Sequence, residues 1–207
     1  MKTRICFIRH GETDWNASRR IQGQLDIPLN ENGRNQALSL SALHDNNFNS
    51  IYSSDLSRAH ETAKMLANNI DVIKLPSLRE RHHGQFQGLT ANEAEMRYPE
   101  AYARYKSRDP DYDFETGESL VQFALRVGAV MDALAKQHVG ETVAVVTHAG
   151  VLDIVYRKAT GRPLRTPRDF AVRNCAMNWF SVSGDGLKLE AWDDHCGLFK
   201  TETESVE

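Results

Sequence analysis

His10, Arg58, Glu80 and His148 lie far apart in the chain, yet each has the type and local setting that phosphoryl chemistry uses. His10 stands between Arg9 and Gly11 at the end of a β-rich run. A neutral imidazole is nucleophilic near neutral pH, an arginine fork matches phosphate oxygens, and glycine lets the main chain approach a ligand. Taken alone, the tripeptide reads equally well as a loop histidine beside a charge. Arg58 falls in the first turn of an expected helix that Asp55 or Ser54 would cap. A cation there opposes the helix dipole, which makes sense if an anion binds at that terminus. The plain alternative is a surface arginine paired with Asp55 or Glu61. Glu80 is a candidate proton donor to a leaving group, a task that needs burial or nearby negative charge to keep a carboxyl protonated at neutral pH. His82 and His83 are adjacent, so they point apart in an extended chain. No HxxxH or HExxH spacing accompanies them, and a metal site is not expected.

The elements that would carry these residues follow from periodicity. Residues 4–8 read as a strand that stops at Arg9-His10-Gly11. Residues 31–43 and 57–68 have helical spacing, with short strands expected at 50–53 and at 71–75, the latter closed by Pro76. Residues 118–137 return to a strong helical period, with Ser119 as a start signal. The run Val143-Ala144-Val145-Val146, within 142–147, is the most convincing buried strand, and it ends at His148-Ala149-Gly150. A helix over 151–160 follows. Residues 176–183 and 187–192 flank Gly184-Asp185-Gly186 and read as a hairpin. Strands alternating with helices predict an α/β protein, a three-layer α/β/α sandwich around a mainly parallel sheet. In such sheets ligands bind beyond the carboxyl ends of the strands, where His10 and His148 both fall.

Between residues 79 and 117 the pattern breaks. This stretch is polar, holds Gly84, Gly88, Pro99 and Pro110, and promises short helical pieces at best. It reads as a cap-like excursion over the surface of one domain spanning 1–207, and long irregular connections are more often functional than accidental. Residues 200–207 read as a frayed end.

Composition narrows the class. Hydrophobic residues make up 41% and charged residues 26%, an ordinary globular balance. The net charge of −3 argues against nucleic-acid binding, which favours a basic face. Cys6, Cys175 and Cys196 show no CxxC spacing, so no disulfide framework is expected and a reducing compartment fits. The first residues lack the apolar run of a signal peptide, and no stretch is long enough to span a bilayer. The expectation is a cytoplasmic protein without nucleic-acid or membrane partners. Trp179, Phe180 and Val182 are either core or an edge strand that pairs in a homodimer.

Several motifs then converge. Arg9-His10-Gly11-Glu12-Thr13 with Asn16 resembles the signature of the histidine phosphatase superfamily, also called phosphoglycerate mutase-like. The other landmarks come in that family's order: Ser54-Asp55-Leu56-Ser57-Arg58-Ala59 with Thr62-Ala63, Glu80 with Gly84 and Gly88, Gly117-Glu118-Ser119, Thr147-His148-Ala149-Gly150, and Asn174. The resemblance covers nearly the whole chain and implies the phosphoglycerate mutase-like fold. It implies that His10 is the nucleophile that becomes phosphohistidine, with Arg9, Arg58 and His148 around the phosphoryl oxygens. Glu80 would protonate the leaving oxygen and then help water attack. Asn16 and Ala149 would lie near the same pocket, and Gln22-Gly23 would line its entrance. The implied partner is a small phosphorylated metabolite, and no metal or diffusible cofactor is implied.

The same family contains hydrolases and mutases. Mutases carry a longer, more basic insertion after the Glu80 segment. Here residues 88–117 are short, and Arg97, Arg104, Lys106 and Arg108 are outnumbered by Glu93, Glu95, Glu100, Asp109, Asp111, Asp113 and Glu115. That acidic balance suits a second phosphate poorly, so hydrolysis of phosphomonoesters is the favoured reading. Glu80-Arg81-His82-His83-Gly84 with Gln87-Gly88-Leu89 pulls the other way, being similar to cofactor-dependent phosphoglycerate mutases. On that reading Arg81 and His83 contact a carboxylate or a second phosphate, and 2,3-bisphosphoglycerate is required. A third reading, an inactive protein that binds phosphorylated ligands, is disfavoured because His10, Arg9, Arg58, Glu80 and His148 are all present.

Overall fold

Alternation along the first strand sets the layers. In the computed structural model, which describes residues 1–43, 48–67 and 69–194, β1 (Thr3–Arg9) sends Ile5 and Phe7 into one core and Cys6 and Ile8 into another. A strand apolar at successive positions must be covered on both faces. Ile5 and Phe7 join Val143 and Val145 of β4 (Thr142–Thr147) beneath α6 (Leu120–Gln137) and α7 (Ala149–Thr160). Cys6 and Ile8 join Ala144 and Val146 beneath α2 (Glu31–Leu43) and α3 (Ser57–Leu66), through Ala37, Leu40, Ala59 and Ala63. The three layers are those expected from the strand and helix pattern.

The sheet runs in the order β3 (Val72–Lys74), β2 (Ser50–Ser53), β4, β1, β5 (Met177–Ser183), β6 (Gly186–Asp194). The first four strands are mutually parallel, and the β5–β6 hairpin joins β1 antiparallel. Because β5 is paired on both sides, its residues form no edge. Phe180 is fully buried, and Trp179 and Val182 pack against the two cores. The edge-strand alternative for these three residues therefore falls, and the sheet's edges are β3 and β6.

Local chemistry explains most helix ends. Ser119 caps α6 reciprocally with Gln122, as its position suggested. The cap expected of Asp55 or Ser54 at α3 does not form. Leu56 occupies the cap position, and Asp55 instead receives Arg79 at 2.6 Å. Helix α7 starts two residues earlier than its apolar period indicates, with His148 in extended conformation at its cap. The end of the expected 57–68 helix at Asn68, Cys196 and residues 200–207 lie outside the described residues. Among the described residues no helix is long and apolar enough to cross a membrane.

The 79–117 excursion is more ordered than its composition suggests. It holds α4 (Ala91–Arg97), which opens with a reciprocal Thr90–Glu93 cap, and α5 (Pro99–Lys106). Phe86, Leu89, Ala94, Tyr112 and Phe114 form a third apolar cluster of its own. Helices of one or two turns are too short to show a readable period.

The loop after β1 is clasped by the start of α2. Asn30 donates to the Glu12 carboxylate at 2.8 Å, Gln36 accepts from the Glu12 N–H at 2.9 Å, and Gly33 lies so close that a Cβ there would sit 2.1 Å from the Glu12 carbonyl oxygen. Gly33→Ala must push the two segments apart. It should cost about 1–3 kcal/mol in chemical denaturation, and unchanged stability would show that the clasp yields freely.

Candidate active site

Register brings the first two functional groups together. Arg9 of β1 pairs with Thr147 of β4, and the His10 N–H donates to the Thr147 carbonyl at 2.9 Å. The next residue on each strand is a histidine, so the imidazoles of His10 and His148 meet with ring centroids 5.1 Å apart. Both residues are buried. The loop around His10 is pinned from several sides. Asn174 donates to the His10 carbonyl at 2.6 Å, the Cys175 N–H to the Arg9 carbonyl at 2.9 Å, and the Gly11 N–H to Thr62 Oγ1 at 3.1 Å.

His10 Nδ1 lies 2.7 Å from the Gly11 carbonyl oxygen. A carbonyl only accepts, so Nδ1 carries the hydrogen and Nε2 keeps its lone pair. Burial holds the His10 ring well below the ordinary histidine range, reinforced by Arg58 and Arg9. His148 is depressed in the same way, by burial first and then by Arg58 and His10. Neutral imidazoles at this position are the nucleophilic form. Both ring nitrogens of His148 are buried without a hydrogen-bond partner among the described residues, an arrangement that suits a polar ligand.

Two arginines supply the charge. Arg58, 1% exposed, projects inward from the first turn of α3 and donates to the carbonyls of Gly23 and Leu25, each at 2.8 Å. The alternative pairing with Asp55 or Glu61 is absent, since these carboxylates bind Arg79 and Arg34. Carbonyl dipoles accept from Nη1 and Nη2 without cancelling the charge, while buried Nε has no hydrogen-bond partner among the described residues. Burial pulls Arg58 down to about 10, still cationic at neutral pH. Arg9 donates to the Val172 carbonyl at 2.5 Å.

Glu80 is held by the main chain. One carboxylate oxygen accepts the Arg81 N–H at 2.7 Å and the other the Gly150 N–H at 2.9 Å, in the first turn of α7. Arg126 of α6 braces the segment from behind. It donates to the carbonyls of Ser77, Arg79 and Glu80 and forms a two-pronged pair with Glu118. Sequence reasoning missed Arg126. Its place beside buried Phe123, Val127 and Val130 was the one available signal.

All of these groups open on one cavity of about 270 Å³. Its lining includes Arg9, His10, Asn16, Gln22, Gly23, Arg58, Glu80, His83, His148 and Ala149, ten of the eleven residues singled out from sequence. Asn16 lies in α1 (Asp14–Ala17). Its Oδ1 accepts the Thr13 N–H at 3.1 Å, which leaves its amide nitrogen as the group it can offer. The exception is Arg81, whose guanidinium turns under the excursion. It lies 4.6 Å over the Phe114 ring and donates to the carbonyls of Glu118 and Tyr112 at 2.7 and 2.8 Å. Of the residues singled out from sequence, Arg81 is thus the one that the structure does not bring to the cavity lining. His83 does line the cavity, but burial pushes it down to about 3, so it stands there as a neutral ring. Arg20, Ile21, Tyr105 and Arg168 also line the cavity and carried no motif that could flag them. Among the described residues no group of three His, Cys, Asp or Glu could hold a metal ion.

A buried neutral imidazole with a free lone pair, two inward-facing arginines, a second imidazole and a fixed carboxylate at the carboxyl ends of parallel strands define a phosphoryl-transfer site built on histidine. Residues 5–195 match the histidine phosphatase superfamily (branch 1), and the chain belongs to that family. It is 43% identical over 198 residues to the metal-independent phosphoserine phosphatase of Arabidopsis thaliana, covering 93% of this chain and 82% of that protein. It is 37% identical over 204 residues to phosphoglycerate mutase-like protein 4 of the same plant, covering 95% and 87%. The phosphoserine phosphatase of Entamoeba histolytica, solved in complex with 3-phosphoglyceric acid, superposes with a TM-score of 0.86 at 27% identity, covering 95% of this chain and 100% of that one. A mutant of that protein, solved with phosphoserine, superposes with a TM-score of 0.87 at the same 27% identity and coverage of 95% and 100%.

Two tests follow from the geometry. A Cβ at Gly150 would lie 2.1 Å from Glu80 Oε1, so Gly150→Ala should lower kcat about 10- to 100-fold by displacing that carboxylate. Steady-state kinetics showing an unchanged kcat would remove Glu80 from the reaction. The rings of His10 and His148 should remain neutral at pH ~6, where an ordinary histidine is largely protonated. Nitrogen-15 shifts of the two rings would show this, and titration of both near the ordinary value would contradict it. The sign for folding is the same: the unfolded chain binds these protons first, so stability declines as pH falls below the ordinary histidine range.

Proposed function

We propose that this protein hydrolyses phosphomonoesters of small metabolites through a phosphohistidine on His10, with phosphoserine as the leading substrate. The observation that carries this reading is the 5.1 Å approach of the two neutral imidazoles inside a cavity that also holds Arg9, Arg58 and Glu80. His10 Nε2 attacks phosphorus, the ester P–O bond breaks, and Glu80 gives its proton to the leaving oxygen. Glu80, now ionised, then takes a proton from water as the water oxygen attacks phosphorus. The P–N bond breaks and inorganic phosphate leaves. Arg9, Arg58 and His148 hold the transferring oxygens, so positioning and charge do the work a metal clamp does elsewhere. Asn16, Gln22, Gly23, His83 and Ala149 surround the rest of the substrate.

Four observations support the details. The small cavity, about 270 Å³, suits a compact monoester. The 43% identical relative is described as metal-independent and as a phosphoserine phosphatase. Arg81 does not line the cavity, which weakens the mutase reading's use of it for a second anion. Free, buried Cys6 and Cys175 suit a reducing cytoplasm.

The test is release of inorganic phosphate from L-phosphoserine and 3-phosphoglycerate, with and without 2,3-bisphosphoglycerate and in the presence of a strong chelator. Hydrolysis of L-phosphoserine that ignores both additions is the expected result. His10→Ala should lose at least about a thousandfold in kcat with the fold retained. Isomerisation that depends on the bisphosphate would make the protein a mutase, and loss of activity that only added metal restores would overturn the metal-free mechanism.

A further inference from the structure

Two segments far apart in sequence, one on α5 and one between α7 and β5, contribute Tyr105 and Arg168 to the cavity lining. Both segments connect to a single buried carboxylate that does not line the cavity. Asp153, on α7, has a side chain 7% exposed, and its Oδ2 accepts from Arg108 at 2.7 Å and from Arg157 at 3.0 Å. Each arginine then reaches on to the same stretch of main chain. Arg108 Nε donates to the Leu164 carbonyl at 2.7 Å, and Arg157 Nη1 to the Pro163 carbonyl at 2.6 Å.

Arg108 is also the hinge of the excursion. Its N–H donates to the Tyr105 carbonyl at 3.0 Å, and its φ of +53° lies in the left-handed region that a side-chain-bearing residue enters at a cost. Something must hold it there, and the Asp153 and Leu164 contacts do. The Arg157 guanidinium is 2% exposed, so loss of the Asp153 charge leaves a buried cation without its counter-charge. Helix α7 itself begins at the catalytic end, immediately after His148. Asp153 thus links the floor of the site to both Tyr105 and the chain that leads to Arg168.

We propose that Asp153 is a positioning residue that sets substrate affinity by fixing Tyr105 and Arg168 relative to the His10 centre. The inference rests on the hydrolase reading for its kinetic arm. Asp153→Asn keeps the shape and removes the charge. With L-phosphoserine its KM should rise about 10-fold while kcat stays within about 3-fold. On this proposal inorganic phosphate, used as a competitive inhibitor, binds at the inner pocket formed by Arg9, His10, Arg58 and His148, so its inhibition constant should stay within about 2-fold of that of the unmodified protein. Arg108→Gln, at the more exposed partner, should reproduce the KM increase, and the double variant should add little to either single change.

A lower Tm with unchanged KM would make Asp153 a brace for stability alone and overturn the proposal. A phosphate inhibition constant that rises in step with KM would also overturn it, because the effect would then reach the inner pocket. If the unmodified protein hydrolyses no monoester, the hydrolase reading fails and amide hydrogen exchange decides the Asp153 question separately. Faster exchange in Asp153→Asn confined to residues 99–108 and 163–168 supports the linkage, and unchanged exchange there refutes it.

Discussion

The parallel pairing of β1 with β4 is the constraint on which this site depends. A parallel ladder in register carries two strands to the same end of the sheet, and here each strand is followed at once by a histidine. A slip of one residue would send one imidazole to the opposite face, because side chains alternate along a strand. The two apolar cores forbid that slip. Ile5 and Phe7 need the α6–α7 side, and Cys6 and Ile8 need the α2–α3 side. Catalytic geometry is therefore enforced by burial of residues that take no part in chemistry.

Charge in the site is managed by dipoles rather than by counter-ions. Arg58 is almost fully buried, yet it donates to carbonyls and not to a carboxylate. Main-chain oxygens accept from Nη1 and Nη2 while leaving its positive charge uncancelled. That field, together with burial, keeps the neighbouring imidazoles neutral. Burial and these cations therefore act in the same direction on both rings.

Arginines also hold the outer parts of the site in place. Arg126 grips the main chain around Glu80, Arg81 braces the excursion from beneath, and Arg108 with Arg157 meets on Asp153. Each planar fork spans at least two acceptors, in a fixed geometry that a lysine's compact ammonium does not offer. The irregular 79–117 stretch lacks a long helix or strand to define it. Its order comes from these bridges and from the Phe86–Phe114 cluster.

Much of this was legible in the residue order. Continuous apolar runs in β1 and β4, helical periods in α2, α3 and α6, and the arginine and histidines at strand ends are local signals, because composition, period and end position are properties of neighbouring residues. The roles of Arg81 and Arg126 were not legible. Both are arginines near Glu80 in space, and only folding shows which way each guanidinium turns. Nor could the sequence tell that α4 and α5 would form, that Leu56 would stand where a polar cap was expected, or that β5 would be an inner strand rather than an edge. Arg20, Tyr105, Arg168 and Asp153 belong to the same group, being ordinary in their local context. By itself the sequence determined the layered α/β architecture and the family, and it picked out most of the side chains that meet at the cavity, since these are written in local pattern and residue type. Which polar side chains face the cavity, and which serve only to hold its walls, was decided by tertiary structure, because that choice depends on acceptors supplied by segments distant in the chain.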